Sequence, residues 1–348
     1  MSKFITNIWK DTNGKHMQCH GGSIIKIGNT YYFYGENKDG IINKKDKNPN
    51  NYWHHGVKYY SSKDLVNWKD EGFIMPESTD KSNPFYPSNI MDRPHIIYNK
   101  KNNEYLMWTK SCIGKDFGVC GYAICRGKSL RTMKYDKFFY PDPFKAGDFD
   151  LFIYGDKAYI VFENPHSSMV LYELNDDYDG LDTKYSEHIK LPYPPYVREA
   201  PTFFERNGRL MILTSGTTGY YPNETIAYDI TNLHGEWKEI GKPCINDLNK
   251  NSFHLQFSSV YHVPNSDIYL AIGDNWIIDF DSSKYDIVGL FKYNFSNGKE
   301  GKTYSSEEIE SFDKEELFKA DYCMLILKFD ENNNPYIENI SQYELEVN

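Results

Sequence analysis

Nowhere in the 348 residues is there a run approaching the ~18 consecutive apolar residues that a bilayer-crossing helix requires. Positive charge is also in short supply: 39 Lys plus Arg stand against 49 Asp plus Glu, a net charge of −10. Affinity for a polyanion comes from cations that neutralise phosphates, so this balance argues against a nucleic-acid surface. With 24 Gly and 16 Pro, collagen-like and linker compositions are excluded. The N-terminus has no apolar segment followed by small residues, so the chain is expected in the cytoplasm. The six cysteines (19, 112, 120, 125, 244 and 323) are scattered. The nearest two, Cys120 and Cys125, lack CxxC spacing and a histidine partner in metal register, so buried free thiols are the expectation. No phosphate loop, dinucleotide fingerprint or nucleophile elbow is present.

Aromatic residues are abundant: 30 Tyr, 21 Phe and 6 Trp, far from the composition of a disordered chain. They fall into short β-rich runs paired across turn residues. Five such hairpins occupy Ile24–Tyr34, His95–Trp108, Leu151–Phe162, Thr202–Leu213 and Ser259–Leu270. Their equivalent points, Tyr31, Tyr105, Ala158, Leu210 and Tyr269, are 74, 53, 52 and 59 residues apart. That period suits a four-stranded blade of about 40–50 residues with loop insertions. The expectation is an all-β chain, one five-bladed β-propeller over residues 1–348, with a β-sandwich as the alternative. Val57–Ser61 reads as a further strand, Cys323–Phe329 as the strand that closes the ring, and the acidic Ser305–Phe318 as a helical surface insertion. The Lys- and Asn-rich run Asn43–Asn51 reads as an exposed loop bordering a substrate mouth.

In a propeller the innermost strands line an axial funnel. Ten to thirteen residues before each equivalent point stand Gly21, Asp92, Asp148, Glu199 and Gln256. Carboxylates at one structural phase are costly in a packed strand and useful in a funnel. Convergent carboxylates suit sugar chemistry, where one acid must stay protonated beside the glycosidic oxygen. Asp92, ahead of Arg93-Pro94, could instead cap a turn. Pro201 favours an extended residue before it and so holds Glu199 at a strand entry. His54-His55 point to opposite sides of an extended chain, which fits a solvated loop better than a metal site. Trp276 serves equally well as a sugar platform or as core.

Four segments carry a resemblance: His20–Glu36 (HGGSIIKIGNTYYFYGE), Asp92–Asn99 (DRPHIIYN), Arg198–Phe204 (REAPTFF) and Thr214–Asn223 (TSGTTGYYPN). Together they resemble glycoside hydrolase family 43, most closely its exo-β-1,3-galactanase branch, over residues 15–345. The resemblance implies an inverting hydrolase with Glu199 as general acid and Asp148 as the carboxylate that raises its pKa. Asp150, two residues on, is the competing choice for that second role. The Asp base usual in the family is replaced here by His20-Gly21-Gly22. In the galactanase branch that role falls to a glutamine matching Gln256, which as a neutral amide needs an imidic-acid tautomer or a purely positioning role. Glu36 and Asp92 match sugar-contacting residues, Tyr220 replaces a frequent Trp platform, and Thr217 and Asn164 are further carry-overs. His20 is expected to reach the sugar or to hold an ion on the axis. No cofactor is expected, with an axial ion such as calcium left open. The expected partner is an oligosaccharide or polysaccharide, with neither nucleic acid nor membrane. α-L-Arabinofuranosidase or β-xylosidase action and a catalytically silent glycan-binding propeller are the competing expectations.

Overall fold

The computed structural model describes all residues except 1, 6–8, 43–51, 116–118, 313–315, 341 and 346–348. The loop expected at Asn43–Asn51 lies outside the described residues. Strand β1 (Ser2–Ile5) is followed by five four-stranded antiparallel sheets. The first contains β2 (His20–Ile27), β3 (Thr30–Glu36), β4 (Val57–Ser62) and β5 (Lys69–Met75). The second contains β6 (Ile90–Asn99), β7 (Glu104–Cys112), β8 (Cys120–Gly127) and β9 (Lys134–Phe139). In the third are β10 (Phe149–Tyr154), β11 (Lys157–Asn164), β12 (Ser168–Leu174) and β13 (Leu181–His188). The fourth is made of β14 (Arg198–Arg206), β15 (Arg209–Gly216), β16 (Ile226–Asp229) and β17 (Lys238–Gly241). The fifth has β18 (Gln256–His262), β19 (Tyr269–Asn275), β20 (Asp321–Phe329) and β21 (Pro335–Ile337). Strand β22 (Gln342–Leu345) pairs back onto β1.

Neighbouring sheets meet through their first strands, in the cycle β2, β6, β10, β14, β18 and back to β2. This is a five-bladed β-propeller. The hairpins form where the turn chemistry demands them: Asn207 and Gly208, at φ 52° and 78°, close β14–β15 as a two-residue turn with both residues left-handed. Cys323–Phe329 belongs to the third strand of the fifth sheet rather than to a separate closing strand. The ring closes because β18 packs beside β2, and the β1–β22 ribbon joins residues from the two ends of the chain. Large rings such as Trp68, Trp108, Tyr122 and Phe149 fill the spaces between blades. Among the described residues no helix is long and apolar enough to cross a membrane.

Two expectations are corrected. Cys112 and Cys120 form a disulfide, while Cys19, Cys125, Cys244 and Cys323 are not disulfide-bonded. The bond follows from register: Cys112 pairs directly with Cys120 across β7 and β8, with the Cα atoms 4.2 Å apart, close enough for a bridge. His54 is not solvated; it is fully buried and its Nδ1 accepts the Gly56 N–H at 2.8 Å. Only His55 faces outward, 2.7 Å from the Glu77 carboxylate.

Between β19 and β20 lies an insertion holding α1 (Ile287–Phe295) and α2 (Ser306–Phe312). Asp286 caps α1 by accepting the Gly289 N–H at 2.8 Å. The insertion has its own apolar core around Phe280, Tyr285, Leu290, Tyr304 and Phe312. Both Tyr193 and Tyr196 donate hydroxyl hydrogen bonds to Glu300, each 2.9 Å, tying it to the segment ahead of β14.

Candidate active site

The innermost strands are bulged where they enter the funnel. Register slips between His20 and Ser23 in β2, Asp92 and His95 in β6, Glu199 and Thr202 in β14, and Phe257 and Ser259 in β18. Three of these irregularities contain a left-handed residue: Gly21 (φ 58°), Arg93 (φ 51°) and Ala200 (φ 49°), so the bulge overrides the extended backbone expected of Ala200 ahead of Pro201. A bulge bends its strand and re-aims the adjacent side chain, here Asp92 and Glu199, out of the sheet's alternation. The following Gly22 leaves no room for a side chain, because a Cβ there would lie 1.7 Å from the Tyr34 carbonyl oxygen.

These strands open into a cavity of about 580 Å³. Glu199, Asp148, Gln256, Glu36, Asp92, Thr217 and Tyr220 all line it. Gln256 Nε2 donates to Glu199 Oε1 and to Ser215 Oγ, both at 3.1 Å. Gln256 Oε1 accepts from Trp276 Nε1 at 3.1 Å, so the indole fixes the amide while its ring forms cavity wall. Burial, reinforced by the carboxylates of Glu163 and Asp148, pushes Glu199 well above the ordinary glutamate pKa. Burial also acts to raise Asp148, but Lys110 and Arg93 outweigh it and hold that carboxyl below its usual value. Lys110 Nζ donates to Asp148 Oδ1 at 3.0 Å and stands 3.5 Å from Asp92 Oδ2. Within one cavity, one carboxyl is thus pushed toward its protonated form and another toward its ionised form, which is how acid and base roles are separated.

The floor is a second charged group. Glu36 Oε1 accepts the Arg93 N–H at 2.8 Å, and its Oε2 lies 2.7 Å from the fully buried Lys38 ammonium. Burial, partly offset by Lys38, lifts Glu36 to about 7. Asp92 Oδ1 accepts from Trp53 Nε1 at 2.7 Å, and Lys38 Nζ sits 4.8 Å from the centre of the Trp53 ring. The Arg93 guanidinium donates to the Phe257 carbonyl at 3.2 Å. Thr217 Oγ1 donates to the Val197 carbonyl at 3.0 Å.

His20 and Asn164 do not line the cavity. His20 is fully buried, 3.2 Å from Asp274 Oδ1, with its ring against Trp276 and Tyr322. Asn164 Oδ1 accepts the Lys145 N–H at 3.2 Å and so steadies the cavity rim. Asp150 accepts the Phe203 N–H at 2.7 Å and stands 3.1 Å from His95 Nδ1. Of the two aspartates, only Asp148 faces the cavity. Among the described residues no group of three or more His, Cys, Asp or Glu side chains converges as a metal site would.

Reading the sequence missed Glu163, Lys110, Lys38 and Asp274. Glu163 lines the cavity, its N–H donates to the Asp148 carbonyl at 2.8 Å, and burial together with Asp148 lifts its carboxyl to about 7. A signal was present: Glu163 and Lys110 are charges at the ends of otherwise apolar strands, in VFEN and LMWTK.

The family model described as "Glycosyl hydrolases family 43" matches residues 17–252. No curated protein sequence matches the chain. Among solved structures, a family-43 β-1,3-galactosidase superposes with a TM-score of 0.79 at 22% identity, covering 99% of this chain and 64% of that one. An exo-β-1,3-galactanase from Clostridium thermocellum gives 0.73 at 24% identity, covering 98% of this chain and 66% of that one. The exo-β-1,3-galactanase from Phanerochaete chrysosporium, solved as a variant with β-1,3-galactotriose, gives 0.76 at 21% identity, covering 100% and 69%. The chain therefore spans about two thirds of the length of these structures, and at such identities the likeness establishes the fold.

Proposed function

The chain belongs to glycosyl hydrolases family 43, a family of inverting glycoside hydrolases, and from that premise we propose that it releases a terminal sugar, galactose, from β-1,3-linked galactan or galacto-oligosaccharides. The observation that carries this reading is one cavity that brings together Glu199, its pKa pushed up by burial, and Asp148, its pKa held down by Lys110 and Arg93.

In this reading Glu199 gives its proton to the glycosidic oxygen as the bond from that oxygen to the anomeric carbon breaks. Water attacks the same carbon from the opposite face, and the proton it loses restores Glu199 through solvent once the products leave. Once the sugar seats between Gln256 and Glu199 and replaces their hydrogen bond, Gln256 positions that water: its oxygen accepts from Trp276 and keeps a second lone pair for a water hydrogen. Glu36 and Asp92, anchored by Lys38, Arg93 and Trp53, offer acceptors to the hydroxyls of the terminal sugar.

Incubation with β-1,3-galactobiose, xylobiose and an aryl α-L-arabinofuranoside tests the substrate. Galactose release from the first is the expected result; release only from the other two overturns the galactanase reading in favour of arabinofuranosidase or xylosidase action. Proton NMR of fresh product should show α-galactose first, and β-galactose first would overturn inversion. Sugar binding without turnover at any pH would make the protein a glycan-binding propeller.

A further inference from the structure

The cavity has an outer half that the acid–base chemistry leaves unused. Phe291 and Phe295 of α1 form one side of it, and Pro165 and His166, from the turn between β11 and β12, also line it. Helix α1 buries Ile287, Gly289 and Leu290 in the insertion's own core. Phe291 and Phe295, four residues apart, stand one above the other on the helix. Their ring centres are 6.1 Å apart with planes inclined by 20°, a near-parallel aromatic pair. The Phe295 ring is 42% exposed and meets the His166 ring edge-on at 5.7 Å.

The deep aromatic residues are differently employed. Trp53 and Trp276 spend their indole N–H groups on Asp92 and Gln256 and flank Tyr220 close to the charged floor. The outer pair has no polar group to position, and its surface is continuous with the cavity. A pyranose has a face of C–H groups bearing partial positive charge, which complements the negative face of an aromatic ring. When the terminal sugar sits on the floor beside Glu199, the rest of the glycan extends along the cavity wall to which these rings belong.

We propose that Phe291 and Phe295 form an outer subsite that stacks on a pyranose ring on the leaving-group side of the scissile bond, so that the site reads chain length as well as the terminal sugar. The proposal rests on the hydrolase reading of the funnel, and its test separates the two. Calorimetry on the Glu199→Gln protein measures binding of galactose and of β-1,3-galactotriose, before and after Phe291→Ala and Phe295→Ala are added together. The expected result is about tenfold weaker galactotriose binding, equivalent to about 1.4 kcal/mol, with galactose binding unchanged. Phe295→Leu, which keeps apolar bulk and removes only the ring, should weaken galactotriose binding in the same direction and guards against a double variant that misfolds. Unchanged galactotriose binding in either variant overturns the outer subsite and leaves the hydrolase reading intact. If neither sugar binds the protein that retains both phenylalanines, the reading of the funnel falls and the subsite with it.

Discussion

The funnel floor and the helical insertion above it solve opposite problems. The floor holds five carboxylates, Glu36, Asp92, Asp148, Glu163 and Glu199, that would repel one another without Lys38, Arg93 and Lys110 among them. Its side chains are fixed by strand entries, bulges and hydrogen bonds to buried partners, so the loss of one partner leaves a buried charge unpaired. The insertion is held by ring-to-ring packing in a small apolar core, and it meets the cavity with Phe291 and Phe295, which carry no charge. On the proposed reading, electrostatic preorganisation belongs to the propeller, and affinity for the rest of the glycan to the insertion between β19 and β20.

If this division holds, variants of the floor change turnover and its pH dependence, and variants of the insertion change affinity. The largest effect is expected from Glu199→Gln, which should lower turnover of β-1,3-galactobiose by roughly 10²–10⁴-fold, the usual contribution of a general acid, while galactose still binds. Loss of binding along with turnover would show that Glu199 holds the sugar rather than delivering a proton. Next, Cys112→Ser with Cys120→Ser should cost about 2–3 kcal/mol in denaturant unfolding, the loop-closure estimate for a bridge spanning eight residues. Trp276→Phe keeps the ring surface and removes the hydrogen bond to Gln256. It should lower kcat by up to about tenfold, corresponding to a typical net hydrogen bond of about 0.5–1.5 kcal/mol. A change confined to KM would assign Trp276 to sugar stacking alone.

The smallest effect is a shift of profile. Glu163 helps to raise the pKa of Glu199, so Glu163→Gln should move the alkaline limb of the rate profile to lower pH. The same substitution has a stability signature. The folded Glu163 value of about 7 exceeds the ordinary value of about 4.3, so between them the folded protein binds more protons than the unfolded chain. Wild-type stability from this group is fully present below the unfolded value and is lost as pH rises through about 7. Measured Tm for Glu163→Gln should therefore gain on wild type between pH 5 and pH 8. A constant difference would remove Glu163 from the electrostatic account.

The same two regions differ in how much of them could be read beforehand. The five hairpins were legible because alternation and turn residues are local signals, and the funnel carboxylates followed from their common phase along the chain. The partners were not legible. Lys110 is opposite Asp92 only through the β6–β7 register, and Cys112 meets Cys120 only through β7–β8. His20 matched the expected motif, yet the fold turns it away from the cavity toward Asp274. Helices of nine and seven residues are too short to announce a buried face by periodicity. Only the acidic Ser305–Phe318 segment suggested the insertion, and nothing local pointed to Phe291 and Phe295.

Ala200 carries a consequence for anyone seeking to stabilise this protein. Its left-handed backbone costs an L-residue about 1–2 kcal/mol, which a glycine would relieve apart from its greater freedom in the unfolded chain. A selection for thermal tolerance would thus see little harm, and some benefit, in Ala200→Gly. The residue immediately before it is Glu199, and the bulge that aims it runs through Ala200. If a glycine there loosened that bulge, thermostable variants won at this position would be expected to have surrendered rate.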